Sequence, residues 1–362
     1  MNPRLKELDG IRGVAILLIL VWHYGNNLLY NNNSTTAKYF KMLTSYTWSG
    51  VDLFFTLSGF LLGGILLKQK KSTNYFKTFY TRRILRIFPI YFLTLSITFL
   101  LINKLIPYSH SWLSEGMIPN WSYFTFTQNI FMGLNETLGN RWVSHTWSLG
   151  LEEQFYIILP ILIYFLPNRL LVIILLLGCI AAPLFRYYSN NWYESFNYLH
   201  CRLDALFSGV LASILCKQTT VTNYIKSKTK WADGILIVWL LLTLMLSCNK
   251  IQIHYVLENT WFSGLFLFTV LVICNCKESI FYKIIVNPIL TKLGIISYGV
   301  YLYHPLVLGV LHYLFLHQSP ILMSSLDLYI TILSLIMTIV VATISYHFIE
   351  KPLIKLGHSY AY

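Results

Sequence analysis

The sequence predicts an all-α fold: a polytopic membrane helical bundle of about ten transmembrane helices, with both termini cytoplasmic. Three observations lead there. Of 362 residues, 56% are hydrophobic and 11% charged, with a mean hydropathy of +0.58, a balance that excludes an ordinary soluble globule. Apolar runs of the length that spans a bilayer as a helix, about 17–25 residues, recur at 13–30, 51–67, 84–106, 147–166, 170–188, 200–216, 232–248, 260–276, 293–315 and 328–349. Lys and Arg are shared unevenly between these runs: with the N-terminus inside, segments 1–12, 68–86, 167–169, 217–230, 277–292 and 350–362 hold 20 of the 27, as cytoplasmic segments do. The same distribution assigns the formal charge of +13 to topology and anionic lipid, so no nucleic-acid partner is expected. The longest outer segment is about 107–145, rich in Trp, Asn, Ser and Tyr. With no internal repeat and no low-complexity linker, residues 1–362 read as a single integral-membrane domain. Six cysteines lie in or beside apolar runs, without disulfide or CxxC spacing, and read as packing residues.

The first run, "LDGIRGVAILLILVWHYG" at 8–25, lacks a following small-residue cleavage site and is read as a retained helix. Arg12 and His23 in it are 11 residues apart, about three helical turns plus 20°, with a rise of about 16 Å. They therefore share a face, Arg12 at the cytoplasmic entrance and His23 half way or further across. Ionisable groups at bilayer depth mark function by default. A core histidine bonded to a neighbouring helix would give the same pattern. In the second run, Asp52 either caps the helix or meets a substrate at the outer end, and Ser58 in "TLSGF" is either a small packing residue or a functional hydroxyl.

"FYTRRILRIFP" at 79–89 opens the third helix from the most basic segment of the chain. Positive-inside charge accounts for many such clusters, but Arg82 and Arg86 are i,i+4 on one face with Arg83 beside them, and guanidinium groups suit bidentate phosphate binding. A phosphorylated cytoplasmic donor follows as an expectation, although no P-loop or GxGxxG accompanies the cluster. In "HTWSLGLEEQFYIILP" at 145–160, the adjacent Glu152 and Glu153 enter the fourth helix, diverging by about 100°. His145, Ser148, Glu152 and Tyr156 form one polar stripe; Glu153 shares its side with Leu149 and Pro160. On facing alone Glu152 is the catalytic candidate and Glu153 the secondary one, a structural pair being the alternative.

Later runs are less pointed. Arg202 and Asp204 read as a structural pair or a cavity lining, and Glu350 with Lys351 as a structural pair. Tyr298, Tyr301 and His304 in "SYGVYLYHP" are candidates to line the acceptor side, where aromatic belts also occur. His312 and His317 lack a third ligand and no HExxH is present, so no metal site is expected.

Together these blocks resemble the acyltransferase-3 family of integral-membrane acyltransferases. "LDGIRGVAILLILVWHY" is similar to the family's opening helix, with its basic residue, ten intervening positions and histidine at Arg12 and His23. "FFTLSGFLLGGIL" (54–66), "FYTRRILRIFPIY" (79–91), "TWSLGLEEQFYIILP" (146–160), "RLDALFSGVLA" (202–212), "LGIISYGVYLYHPLV" (293–307) and "FIEKPLIKLG" (348–357) match the later blocks in order. The resemblance implies a ten-helix enzyme of the bacterial cytoplasmic (inner) membrane. It would have no tightly bound cofactor and would take an acyl group, commonly acetyl, from cytoplasmic acetyl-CoA or another acyl-CoA. The acceptor would be a hydroxyl of a glycan or lipid-linked glycan on the outer side, such as lipopolysaccharide O-antigen or exopolysaccharide. The esterase-like domain that some relatives append has no match here, which implies a stand-alone enzyme or one dependent on a separate partner.

With that reaction in view, His23 is expected to be the base for the acceptor hydroxyl, Glu152 its orienting carboxylate, and Glu153 a secondary acid. Arg82, Arg83 and Arg86 would hold coenzyme A phosphates, with Arg12 lining the route. Ser58 is the oxyanion candidate, and Asp52, Tyr301 and His304 are acceptor-side candidates. Direct transfer and an acyl-histidine intermediate stay open. So do a transporter or flippase for a lipid-linked sugar and, among enzymes, succinyl transfer or an antibiotic acceptor.

Overall fold

In hydrocarbon every backbone N–H and C=O needs a partner within the chain, and a helix supplies it locally. The computed structural model describes residues 5–105, 116–249, 251 and 253–362, which are helical with no strand among them. Positions 107–115 of the expected outer segment lie outside the described residues. Each apolar run corresponds to one helix: α1 (Lys6–Tyr24), α2 (Gly50–Gln69), α3 (Tyr75–Leu105), α4 (Trp147–Phe165), α5 (Asn168–Tyr187), α6 (Leu203–Leu215), α7 (Thr229–Ser247), α8 (Tyr255–Asn275), α9 (Ser297–Leu316) and α10 (Ser325–Ser345). Among the described residues nine helical stretches are long and apolar enough to cross a membrane, and ten if Leu199–Leu215 and Thr219–Ser227, bent by 92°, form one span. The chain is a multi-pass membrane protein.

Three boundaries differ from the hydropathy reading, each for a local reason. α1 starts at Lys6, so Arg12 sits within the helix, bonded to Asp9 one turn back at 2.8 Å. α3 starts at Tyr75, before Lys77 and the arginines. Its first turns are held by aromatic contacts to α4, with the Tyr75 and Tyr164 rings 5.2 Å apart, a gain that a scan for uncharged runs misses. α9 starts at Ser297, because residues 288–295 form a separate helix, Pro288–Ile295, capped by the Asn287 side chain and with Pro288 in its first turn.

The chain divides into two compact units interleaved along the sequence: Met1–Leu67, Phe165–Tyr188 and His200–Ser297 form one, and Lys68–Tyr164, Ser189–Leu199 and Tyr298–Tyr362 the other. In the first unit, α1 lies against Pro288–Ile295 at backbone distance. A Cβ on Gly10 or Gly13 would run into the carbonyls of Ile285 or Leu290, and one on Gly294 into that of Asp9. α2 and α6 approach in the same way, Gly59 against the Leu206 carbonyl and Gly209 against that of Thr56, the small-residue contact by which membrane helices gain dispersion energy without a hydrophobic drive. α8 brings Phe262, Phe266 and Val270 into the apolar core beside Leu53 and Leu57 of α2.

In the second unit α3 and α4 run antiparallel in a fixed register. Tyr75 donates to the Pro160 carbonyl at 3.1 Å, Tyr80 to that of Ile157 at 3.2 Å, and the Arg83 guanidinium carbon lies 5.8 Å from the Tyr156 ring centroid. Further along, Gln128 bridges the two helices, donating to the Tyr91 hydroxyl at 3.1 Å and the Thr146 carbonyl at 2.6 Å. Burial pushes the Tyr123 phenol up, so it stays neutral and accepts the Asn140 N–H at 3.0 Å. A capping box of Ser324 and Asp327 starts α10, which runs through a π-turn, Tyr346–Glu350, into the helix Lys351–Ser359.

Two glycine substitutions separate close approach from mere helix propensity. Gly294→Val drives a side chain into the Asp9 carbonyl and is expected to cost about 1–3 kcal/mol, whereas Gly234, with nothing within 4 Å of its Cβ position, should gain roughly 0.5–1 kcal/mol as Ala. Thermal unfolding of both variants in one detergent checks the pair: the first melts lower than the parent and the second no lower.

Candidate functional site

In the first unit each expected site residue has a defined setting. His23 stands in the last turn of α1, its Nδ1 3.0 Å from the Ile19 carbonyl. A carbonyl only accepts, so Nδ1 carries the proton and the basic lone pair of the neutral ring is on Nε2. Arg12 and His23 lie on the one helix, as their shared face requires. Ser58 is half-buried on α2, next to the Gly59 contact with α6. Asp52 is 1% exposed, and its carboxylate receives Arg202 at 3.1 Å and the Asn259 amide at 3.2 Å.

Arg202 and Asp204, read from the sequence as a structural pair or a cavity lining, do not pair with each other. Residues two apart on a helix point about 200° apart, and each finds another partner: Arg202 takes Asp52, while Asp204 takes Arg186 of α5 at 2.8 Å. Arg186 also donates to the carbonyls of Cys201 at 2.5 Å and Val256 at 2.7 Å, and to the Thr260 hydroxyl at 2.6 Å. The two pairs tie α2, α5, the start of α6 and α8 together. Arg186, closing the fifth apolar run, went unremarked in the sequence; a cation with no acid near it in sequence was its signal.

The second unit gathers a polar column on α4 and α9. Glu152 accepts from Tyr156 one turn on at 2.7 Å, so this part of the predicted stripe is real, and Arg83 lies over the same Tyr156 ring. Glu153 points elsewhere: its Oε1 is buried and makes no hydrogen bond among the described residues, and the Arg83 charge acts on it. Arg86 follows Arg83 by about one turn of α3. Arg82 turns away. Its Nε and Nη2 donate to the Tyr360 carbonyl at 3.2 and 2.6 Å, and it lies 4.9 Å from the Tyr362 ring centroid.

At the start of α4, Tyr301 donates to the His145 carbonyl at 2.7 Å, and its hydroxyl shares a 2.6 Å hydrogen bond with that of Ser148, which also reaches the His145 carbonyl at 3.2 Å. The rings of His145 and His304, 3% and 0% exposed, lie 5.1 Å apart edge to face. Pro305 explains the orientation of His304. A proline in a helix leaves the carbonyl four residues back without its N–H; that carbonyl is Tyr301's, and His304 Nδ1 donates to it at 2.7 Å. Glu350, expected to pair with Lys351, is buried while Lys351 is exposed, and the charge that acts on it is that of Arg86. Among the described residues no three His, Cys, Asp or Glu side chains gather as metal ligands would.

Comparison with known proteins bears on this arrangement. A family model described as an acyltransferase domain matches residues 5–347. The chain belongs to the acyltransferase-3 family. Similar relatives include a Staphylococcus aureus (strain COL) protein named "Putative O-acetyltransferase SACOL0978", 28% identical over 381 residues, and the O-acetyltransferase OatA of S. aureus strain NCTC 8325 / PS 47, 26% identical over 381 residues. Both alignments cover 98% of this chain and 58% of the relative, so the chain spans about three-fifths of the length of the curated relatives it matches. No solved structure matches.

Of the two buried pairs, Asp204 offers the cleaner test. Asp204→Ala leaves Arg186 an uncompensated buried cation and is expected to cost about 3–5 kcal/mol, whereas replacing both, Arg186→Met with Asp204→Leu, should recover most of that loss. Denaturant unfolding in micelles reads the difference; equal losses for the single and double variants would remove the ion pair as the cause.

Proposed function

We propose that this acyltransferase is a membrane O-acyltransferase, with acetyl as its acyl group, working as one enzyme over its whole length. It takes the acyl group from cytoplasmic acyl-CoA and esterifies a hydroxyl of a cell-surface carbohydrate. The observation that carries the reading is the register of α3 on α4, which sets Arg83 over the ring of Tyr156, the residue that donates to Glu152, with Arg86 about one turn further along α3. Arginines at that level suit the phosphates of a coenzyme A thioester, and the O-acetyltransferase names of the relatives favour acetyl as the group moved and a hydroxyl as its acceptor.

In the proposed reaction the neutral His23 takes the acceptor hydroxyl proton on Nε2 as the oxygen attacks the thioester carbonyl. The tetrahedral intermediate collapses with loss of the C–S bond, and the imidazolium returns its proton to the leaving thiolate, giving an ester and free coenzyme A. Glu152 acts as the carboxylate of this machinery and Glu153 as the secondary acid. Arg83 and Arg86 bind the donor phosphates, with Arg12 along the route. Arg82 has a lesser share in phosphate binding, because its fork already serves the Tyr360 carbonyl. Ser58 remains the oxyanion candidate, and Asp52, Tyr301 and His304 the acceptor-side candidates. Both termini face the cytoplasm in this reading.

Membranes carrying the protein, given radiolabelled acetyl-CoA and the surface polysaccharide of the host, are expected to incorporate label into alkali-labile ester. Label-free transport of a glycan across the bilayer without ester formation would overturn the reading. Within the active system, His23→Ala and Glu152→Gln are each expected to lower kcat by roughly 100-fold or more; full activity in both would displace the assigned machinery.

A further inference from the structure

Beyond the helix Lys351–Ser359, residues 360–362 return to the arginine end of α3, inside the second unit. The helix brings them there: Gly357 is buried, and its Cβ position lies 3.7 Å from the Arg82 Cα. The backbone then becomes extended at Tyr360, and two successive carbonyls meet one face of α3. Tyr360 receives both Nε and Nη2 of Arg82, at 3.2 and 2.6 Å. Ala361 receives the hydroxyl of Thr78, one turn earlier on α3, at 2.7 Å. The Arg82 guanidinium carbon also lies 4.9 Å from the Tyr362 ring centroid. Nε and one Nη make up the edge of the guanidinium fork that an anionic oxygen takes side-on, so a neutral backbone oxygen stands where a phosphate oxygen would bind. The field agrees: the charges of Arg82, Arg83 and Arg86 act on His358, and those of Arg82 and Arg83 on Tyr362. The hold is light, because Tyr360 and Ala361 are exposed and hydrogen bonds at exposed backbone open readily.

We propose that residues 360–362 are a strap over the donor arginines: closed, they fill the Arg82 fork with a backbone carbonyl, and a phosphate of the acyl donor displaces them to take that fork. Bonds from a guanidinium to an anion are roughly twice as strong as neutral ones, so the exchange favours the donor. It also sets the donor concentration at which the site fills, since only molecules with the strap open bind with full affinity. A strap closed in about nine molecules of ten raises the apparent Kd about tenfold. The inference rests on the acyl-CoA reading above and deepens it, because the carbonyl that limits the share of Arg82 is then one the donor removes.

The test uses the full chain in lipid nanodiscs, with coenzyme A binding measured by calorimetry. Thr78→Val keeps the shape of the side chain and releases the Ala361 carbonyl, and Tyr362→Ala removes the ring from Arg82. Each is expected to lower the coenzyme A Kd about threefold, by raising the open fraction; a segment that merely supports the site would raise it instead. In an Arg82→Ala background, Tyr362→Ala is expected to leave Kd unchanged, because the ring acts through Arg82. A fluorotyrosine placed at position 362 reads the strap directly in the parent: coenzyme A is expected to replace its held fluorine resonance with a narrow, solvent-like one, which keeps the test decisive if the variants do not fold. Unchanged or raised Kd in both single variants, or a fluorine resonance that stays held at saturating coenzyme A, overturns the proposal. Failure of the unsubstituted protein to bind coenzyme A overturns the donor reading as well, and that result is distinct because it needs no substitution.

Discussion

Charge buried in an apolar chain is tolerable only where it is matched, and this requirement organises both units. In the first, Arg186 pairs with Asp204 and Arg202 with Asp52, and Arg186 also donates to the carbonyls of Cys201 and Val256 and to the Thr260 hydroxyl. Such pairs add little net stability over apolar replacements, but they punish any other arrangement. A helix that slid by one turn would strand a full charge. The pairs therefore select one packing of α2, α5, α6 and α8 out of many that apolar side chains alone would accept.

The second unit meets the same requirement less completely. Its acid Glu152 and cation Arg83 meet on Tyr156, in a register set by aromatic contacts and hydroxyl bonds at either end of α3 and α4. Among the described residues, one buried oxygen each of Glu153 and Glu350 accepts no hydrogen bond. A fully matched network is a girder; one with acceptors to spare has capacity for a ligand's donors. The contrast between the two units separates charges that hold the fold from charges available for chemistry.

How much of this was legible in the sequence varies with the range of the interaction. Ten helices could be read because each is a local property of 20 or so residues, and Glu152 with Tyr156 because i,i+4 geometry is fixed by the helix itself. The short span of α6 and the early start of α3 were not, since one depends on a bend after Cys216 and the other on Tyr164, far away in sequence. The pairings failed for the same reason. Arg202 beside Asp204, and Glu350 beside Lys351, are neighbours in the chain and strangers in space. Nothing local in "PLFRYY" announces that Arg186 will meet Asp204.

The glycine seam of α1 has a consequence for the order in which the molecule is made. Gly10 and Gly13 lie on backbone that belongs to residues 285 and 290, roughly 270 positions later, which at about 5–20 residues per second takes some 15–50 s to synthesise. This helix thus leaves the ribosome well before its seat is made. While the intervening residues are made, its bare face waits in the membrane, within reach of lipid, of the insertion machinery or of another nascent chain.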